Sequence, residues 1–129
     1  MSERLKQIVE AMEVHADDRI LEIGCGHGVA ASYLCRKLES GRYVGIDRSA
    51  AMIAAATRRN RSEVTSGRAR FVVTELETFQ PGAMRFDKIL AVRVGLFHRE
   101  PERARRLVLP WLTPTGRLFV HFDEPPARR

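Results

Sequence analysis

The stretch RILEIGCGHGVA, residues 19–30, constrains the fold more than any other part of the 129-residue sequence. An apolar segment leads into glycines at positions 24, 26 and 28, and apolar residues at helical spacing begin at Val29. Glycine adopts backbone angles that other residues avoid and lets a ligand approach the main chain closely. The pattern predicts a strand–loop–helix unit that binds a ligand, although a tight turn also uses glycine for packing alone.

Strand-like and helical segments alternate along the rest of the chain. We predict strands at residues 19–24, 42–47, 69–75, 86–92 and 117–122, and helices at 3–14, 29–38, 50–60 and 101–112. Pro110 is expected to kink or shorten the last helix, and TPTG, residues 113–116, is expected to form a turn. This alternation predicts an α/β fold with a doubly wound parallel sheet and helices on both faces. Such sheets bind ligands beyond the carboxyl ends of their strands.

Length and composition favour one small domain, residues 1–122, followed by a short tail at 123–129. The two cysteines, Cys25 and Cys35, are too few for a disulfide scaffold and lack the spacing of a zinc site, so we expect no metal. No apolar run approaches the roughly 20 residues of a membrane helix. The first residues are charged and amphipathic, so we expect a cytoplasmic protein without a membrane partner.

The net charge of +6 raises the question of nucleic-acid binding. The 19 arginines are spread over the chain, with local groups at residues 58–61, 103–106 and 128–129. This distribution favours solvated helix faces and a loose tail over a binding surface. A nucleic-acid partner is therefore the less favoured hypothesis.

Asp47 ends the second predicted strand, 19 residues after Gly28. A carboxylate at this point can accept hydrogen bonds from both hydroxyls of a ribose, as in dinucleotide-binding folds. The alternative is a surface acid that caps the next helix, since Asp47 precedes Ser49 by two residues. The dinucleotide fingerprint has the spacing G-x-G-x-x-G, whereas here the third glycine comes one residue early and Val29 takes its place. The spacing argues against NAD.

The segment from Glu22 to Gly28, E-I-G-C-G-H-G, resembles the first motif of class I S-adenosylmethionine-dependent methyltransferases, an acid-x-Gly-x-Gly-x-Gly loop. VGIDRSAAMIAAATRR, residues 44–59, looks like the second motif, and FVVTELETF, residues 71–79, looks like the third. The segments RFDKILAVRVGLFH and LVLPWLTPTGRLFVHF resemble the family's fourth strand and its helix–turn–fifth strand. The resemblance spans nearly the whole chain.

The resemblance implies S-adenosylmethionine as cofactor and S-adenosylhomocysteine as product. Asp47 would bind the ribose, Glu75 the adenine amino group, and the backbone N–H of Leu76 the adenine ring. This cofactor has no phosphates, so the loop needs close approach rather than positive charge. The full implied set of cofactor-binding residues is Glu22, Gly24, Cys25, Gly26, His27, Gly28, Asp47, Arg48, Met52, Glu75, Leu76 and Val92.

The same resemblance implies a Rossmann-like sheet of five parallel strands in the order 3-2-1-4-5. Class I enzymes usually continue into a helix and an antiparallel strand pair, and this sequence lacks them. The fifth strand would then lie at an exposed edge, so either another chain covers it, as in a homodimer, or the sequence is a truncated or minimal version of the fold.

The acceptor and the catalytic residues are not evident from the sequence. The segment 91–97 lacks the Asn/Asp-Pro-Pro-aromatic motif of enzymes that methylate base nitrogens, so a small-molecule acceptor is favoured over DNA, with lipid and protein acceptors left open. Arg93 could bind an anionic acceptor or form an ordinary ion pair. His98 could act as a base or be a solvated residue at a helix start. The leading hypothesis is a methyltransferase, and the alternative is a cofactor-binding module without activity of its own.

Overall fold

The computed structural model describes residues 2–122 of the chain. The tail predicted at 123–129 lies outside the described residues. The described helices are α1 Ser2–Ala11, α2 Val29–Arg36, α3 Ala50–Arg59, α4 Arg61–Thr65, α5 Gly95–Arg99 and α6 Pro101–Val108. The strands are β1 Arg19–Ile23, β2 Arg42–Asp47, β3 Ala69–Val73, β4 Phe86–Val92 and β5 Leu112–His121.

The five strands form one sheet in the order β3-β2-β1-β4-β5, and all four pairings are parallel. This is the predicted strand order and direction. The carboxyl ends of β1, β2 and β4 therefore meet at one edge of the sheet, next to the glycine loop at residues 24–28. The predicted fold class is confirmed.

Both faces of the sheet are covered, which explains the nearly continuous apolar runs of the central strands. On one face, Ile8 of α1 and Leu34 of α2 pack against Ile20 of β1. On the other face, Ala104 and Val108 of α6 belong to the cluster that contains β1 and β4 residues. Ile20 belongs to the first cluster, Leu21 and Ile23 belong to the second, and every position from Ile20 to Ile23 is buried.

Several helix boundaries differ from the sequence prediction. The first helix ends at Ala11 rather than 14, and Glu13 has a left-handed φ of 52°, which is incompatible with continuation of the helix. The polar stretch after α3 contains α4, and α5 was not predicted. The last helix ends at Val108 and a 3-10 turn covers Leu109–Trp111, so the shortening expected from Pro110 is confirmed.

The predicted turn at residues 113–116 is instead an irregular part of β5. Phe86 pairs with Leu112 and Lys88 pairs with Arg117, so a single residue of β4, Asp87, lies opposite the whole 113–116 segment. The Asp87 carboxylate accepts hydrogen bonds from Thr113 Oγ1 at 3.3 Å and from the backbone N–H of Arg19 at 2.8 Å. Pairing with β4 thus holds this turn-like segment in the sheet as a β-bulge.

Within residues 2–122, none of the helices combines the length and the apolar content that a membrane span requires.

Candidate functional site

Two cavities open at the carboxyl edge of the sheet and meet at Gly24, Val92 and Arg93. The larger, of about 400 Å³, is called here the Asp47 cavity. Its wall includes Gly24, Asp47, Arg48, Glu75, Leu76, Glu77, Val92, Arg93, Val94, Gly95, Leu96 and Arg99. The smaller, of about 300 Å³, is called the Glu22 cavity. It is lined by Arg4, Leu5, Glu22, Gly24, Cys25, Gly26, His27, Val29, Ala30, Met52, Val92 and Arg93.

The three glycines of the loop have left-handed φ angles of 69°, 55° and 85° but differ in their surroundings. A β-carbon at Gly26 would meet nothing within 4 Å. At Gly24 it would lie 3.0 Å from Val94 Cγ2, and at Gly28 it would lie 2.7 Å from Asn60 Nδ2. Gly26 therefore leaves open space in the wall of the Glu22 cavity, whereas Gly28 allows close packing of helices. Gly28 lines neither cavity.

The Asp47 carboxylate ties the glycine loop to the start of α3. Its Oδ2 accepts a hydrogen bond from the Gly26 backbone N–H and its Oδ1 accepts one from the Ser49 N–H, both at 2.9 Å. Ser49 in turn caps α3 through the Met52 N–H. Asp47 thus holds the N-cap residue Ser49 rather than capping α3 itself, and Asp47 also lines the larger cavity.

Glu22 is buried at the end of β1, and Tyr43 donates its hydroxyl hydrogen to Glu22 Oε1 at 2.6 Å. Burial raises the pKa of Glu22 to about 8, with a smaller contribution from the nearby Asp47 charge, and the Tyr43 hydrogen bond only partly opposes this rise. Glu22 is therefore mostly protonated at neutral pH. Burial also raises the pKa of the Cys25 thiol, so Cys25 is a neutral packing residue beneath the loop.

The residues after β3 form one side of the Asp47 cavity. Glu75 is exposed and precedes a 3-10 turn at Leu76–Thr78, whose first residue, Leu76, is buried. The carboxylate therefore lies at the rim of the cavity and the Leu76 side chain lies in its wall. Arg48 lines the same cavity, while His27 and Met52 line the other one.

The two candidate acceptor or catalytic residues are placed differently. Arg93 has a left-handed φ of 57°, donates its backbone N–H to His121 O at 2.8 Å, and lines both cavities. His98 lines neither cavity, and its ring packs edge-to-face against Phe122 with centroids 5.4 Å apart. The structure thus brings Arg93 to the site and keeps His98 outside it.

Sequence reasoning missed two parts of the wall. Arg4 and Leu5 of α1 cover the Glu22 cavity, and Arg99 of α5 lines the Asp47 cavity. Nothing in the sequence of α1 or α5 indicates that these residues line a cavity, because only the tertiary packing of the two helices places them there. Among residues 2–122, no group of three or more His, Cys, Asp or Glu side chains could hold a metal ion.

Residues 20–116 match a family described as a methyltransferase domain. The chain is 29% identical over 116 residues to the methyltransferase GfsG of Streptomyces halstedii, covering 89% of this chain and 41% of GfsG. The crystal structure of the cyclase SpnF has a TM-score of 0.77 and 28% identity, covering 92% of this chain and 43% of SpnF.

The crystal structure of coclaurine N-methyltransferase bound to N-methylheliamine and S-adenosylhomocysteine has a TM-score of 0.78. Its identity of 19%, over 91% of this chain and 34% of that one, shows the shared fold alone. The chain spans less than half the length of each of these three proteins. The five-stranded sheet, the glycine loop and the family match over residues 20–116 agree with the resemblance noted from the motifs, and the chain belongs to the class I methyltransferase domain family.

Proposed function

We propose that this chain binds S-adenosylmethionine across the two cavities and transfers its methyl group to a small-molecule acceptor. One observation carries the proposal. A β-carbon at Gly26 would meet nothing within 4 Å, and this open position lies in a cavity that joins the Asp47 cavity at Gly24. A long ligand can therefore cross the bare main chain from one cavity to the other.

The Asp47 cavity suits the adenosine half of the cofactor. A carboxylate has about four lone-pair sites, so Asp47 keeps acceptor capacity for ribose hydroxyls after binding two backbone N–H groups. Glu75 would accept a hydrogen bond from the adenine amino group. The N–H of Leu76 would bind the ring, and Arg48 and Val92 would enclose it.

The Glu22 cavity suits the methionine half. Gly24 and Gly26 would allow the sulfonium and amino-acid portion to approach the backbone, with His27 and Met52 at the wall. Glu22 and Cys25 would line the floor, since both are buried. Gly28 would contribute through the shape of the loop, because it lines neither cavity.

Methyl transfer depends mainly on how the methyl donor and the acceptor are positioned. S-adenosylmethionine supplies a methyl group that its sulfonium already activates. The residues at the cavity junction hold the reacting groups in line, and such orientation is worth effective molarities on the order of 10⁵–10⁸ M in favourable cases. A general base is required only if the acceptor must lose a proton.

A small-molecule acceptor fits a protein of the same fold, since coclaurine N-methyltransferase is bound to N-methylheliamine. Residues 91–97 also lack the motif of enzymes that methylate base nitrogens. The described arginines at 58, 59 and 61 and at 103, 105 and 106 are exposed on separate helices rather than at the cavities. We therefore propose no nucleic-acid partner, and a cytoplasmic location remains part of the proposal.

Calorimetric titration of the purified chain with S-adenosylhomocysteine tests cofactor binding. We expect saturable binding, and an absence of binding at millimolar concentration would contradict the proposal. Transfer of a labelled methyl group from S-adenosylmethionine to a panel of small acceptors tests the reaction itself.

A second candidate is a cofactor-binding domain without methyl transfer. The similarity to SpnF bears on it only in that a protein of like fold is named as a cyclase rather than as a methyltransferase. Binding of S-adenosylhomocysteine without transfer to any acceptor would support this candidate over the first.

A further inference from the structure

We propose that the guanidinium of Arg99 stacks on the face of the adenine ring of the bound cofactor, and that Gly95 leaves the room that this position of the guanidinium requires. The inference rests on the proposed function and adds two residues to it. Arg99 would contact the cofactor directly, and Gly95 would position Arg99. Neither residue belongs to a motif that the sequence shares with the family.

The side chain of Arg99 is folded back onto Gly95, the first residue of α5. A β-carbon at Gly95 would clash with Arg99 Nη1, and it would lie 3.3 Å from Cζ and 3.6 Å from Nη2. Residues four apart share one face of a helix, and side chains lean towards the helix N-terminus, so Arg99 reaches back over the first turn. The guanidinium therefore occupies the space that a side chain at position 95 would fill.

The helix that carries this contact is anchored on the sheet. Leu96 and Phe97, which follow Gly95, are buried in the core cluster on the α6 side of the sheet. The Phe97 N–H donates to Val94 O at 3.1 Å, and the Glu100 N–H donates to Leu96 O at 2.8 Å. The place of the guanidinium relative to the sheet is thus fixed by packing as well as by the backbone.

Arg99 and Gly95 line the Asp47 cavity and do not line the Glu22 cavity. The junction of the two cavities is formed by other residues, namely Gly24, Val92 and Arg93. The guanidinium of Arg99 therefore lies outside the junction. This is the part of the site that the proposed function assigns to adenosine.

The segment after β3 forms the opposite wall of the Asp47 cavity and includes Glu75 and Glu77. In the sheet, β2 and β1 lie between β3 and β4, so this segment and α5 face each other across the carboxyl edge. Among residues 2–122, no ion pair joins the Arg99 guanidinium to either carboxylate. The opening between the walls can therefore take a flat group, with Glu75 at its edge and Arg99 at its face.

A guanidinium suits the face of a purine. It is planar and more weakly hydrated than an ammonium group, and it stacks on aromatic rings. The electron-rich face of a ring attracts a cation, and the attraction is stronger where water is excluded. Stacking depends on the ring rather than on its amino group. The contribution of Arg99 is therefore separable from that of Glu75, which would accept a hydrogen bond from the amino group.

Calorimetric titration with S-adenosylhomocysteine tests the contact in wild type, Arg99→Ala, Gly95→Ala and the double variant. We expect Arg99→Ala to weaken binding about fivefold. Gly95→Ala keeps the guanidinium but displaces it, and it should weaken binding by a similar factor. The two losses should not multiply in the double variant, because each substitution removes the same interaction.

The Gly95→Ala variant should fold, since the φ of Gly95 is not left-handed and alanine favours a helix more than glycine does. A loss of affinity would then not come from a weaker α5, and denaturant unfolding checks this. Arg103→Ala is the matched control. Arg103 is exposed on α6, lines neither cavity and pairs with Glu100, so its loss should leave the affinity unchanged.

A second ligand and a crystal structure identify the part of the cofactor that Arg99 contacts. S-inosylhomocysteine keeps the purine ring and has an oxygen in place of the amino group. We expect Arg99→Ala to weaken both ligands by the same factor, whereas Glu75→Gln should weaken S-adenosylhomocysteine more. In crystals of the wild-type chain with S-adenosylhomocysteine, the guanidinium should lie over the adenine ring, within about 6 Å of its centroid.

Three results would overturn the inference while leaving the proposed function intact. The first is unchanged affinity for S-adenosylhomocysteine in Arg99→Ala. The second is a loss in the double variant equal to the product of the single losses, which would mean that the alanine at 95 obstructs the ligand by itself. The third is a complex in which Arg99 lies away from the adenine. Failure of the wild-type chain to bind S-adenosylhomocysteine would instead contradict the proposed function.

Discussion

Gly26 and Gly67 have similar backbone conformations, but only Gly26 lies at the site, so a substitution at Gly67 is a control for the same substitution at Gly26. Both have positive φ, 55° and 83°, and a β-carbon at either would meet nothing within 4 Å. Only Gly26 lines a cavity of the site. We expect Gly26→Val to abolish binding of S-adenosylhomocysteine, because the side chain fills the space over the loop. The measurement is calorimetric titration.

Gly67→Val should cost a similar amount of stability, on the order of 1–3 kcal/mol from the strained φ, without changing the affinity. Equal losses of affinity in the two valine variants would show that the effect of Gly26→Val comes from general destabilisation.

Asp47 binds the loop and, in our proposal, the ribose. We expect Asp47→Ala to weaken S-adenosylhomocysteine binding by about 1–3 kcal/mol, because a charge-assisted hydrogen bond to the ligand is lost. Asp47→Asn keeps one side-chain oxygen as an acceptor and should lose less. For both variants, the affinity for S-adenosylhomocysteine is compared with the free energy of unfolding. This comparison separates the contribution of the proposed ribose contact from that of the hydrogen bond to the glycine loop. Unchanged affinity in Asp47→Ala would refute the ribose assignment.

Glu22 makes stability depend on pH in an unusual direction for a carboxyl group. Burial raises its pKa from 4.5 to about 8 in the folded chain, so the native state binds the proton more tightly than the unfolded state. The stabilisation is fully present below pH 4.5 and is lost as the pH rises through about 8, with a total on the order of a few kcal/mol. Urea unfolding at several pH values measures it. Glu22→Gln, which stays neutral, should remove this part of the slope, and an unchanged slope would contradict the assignment.

At the scale of elements, Asn60 links α2, α3 and the glycine loop. Its buried Nδ2 donates to Gly28 O and Ala56 O, both at 3.1 Å, and its Oδ1 accepts from Ser32 Oγ at 2.8 Å. We expect Asn60→Ala to reduce the free energy of unfolding by about 1–3 kcal/mol, because buried polar groups lose their partners. Denaturant unfolding gives the value. Ser62→Ala, at an exposed position two residues later, is the control and should change little.

The elements also show where sequence patterns stop being informative. Apolar spacing predicted α2, α3 and the central strands closely. Each of these helices has one buried face, and the central strands are buried on both faces. It missed α5, which has only five residues and therefore less than two turns of pattern. It also placed a turn at 113–116, because Pro and Gly mark turns locally, whereas pairing with β4 holds that segment in the sheet.

At the scale of the whole molecule, β5 lies at one edge of the described sheet. A strand at an edge has backbone groups that can pair with another chain. The homodimer expected from this edge stays a prediction: we expect the measured mass to rise from 14.6 kDa towards twice that value as concentration increases. Light scattering after size-exclusion chromatography measures it. A constant monomer mass up to millimolar concentration would contradict the prediction.

The order of apolar segments, turns and glycines was enough to predict the α/β fold, because that order depends on patterns that are local along the chain. The strand order was predicted only through the resemblance of the motifs to the methyltransferase family. The same patterns placed Glu22, Asp47 and Glu75 at strand ends. Only the tertiary structure decided that Gly28 packs against α3 while Gly26 stays open, that α1 and α5 line the cavities, and that Arg93 lies between them whereas His98 lies outside. These features depend on contacts between residues far apart in sequence, and local spacing carries no information about them.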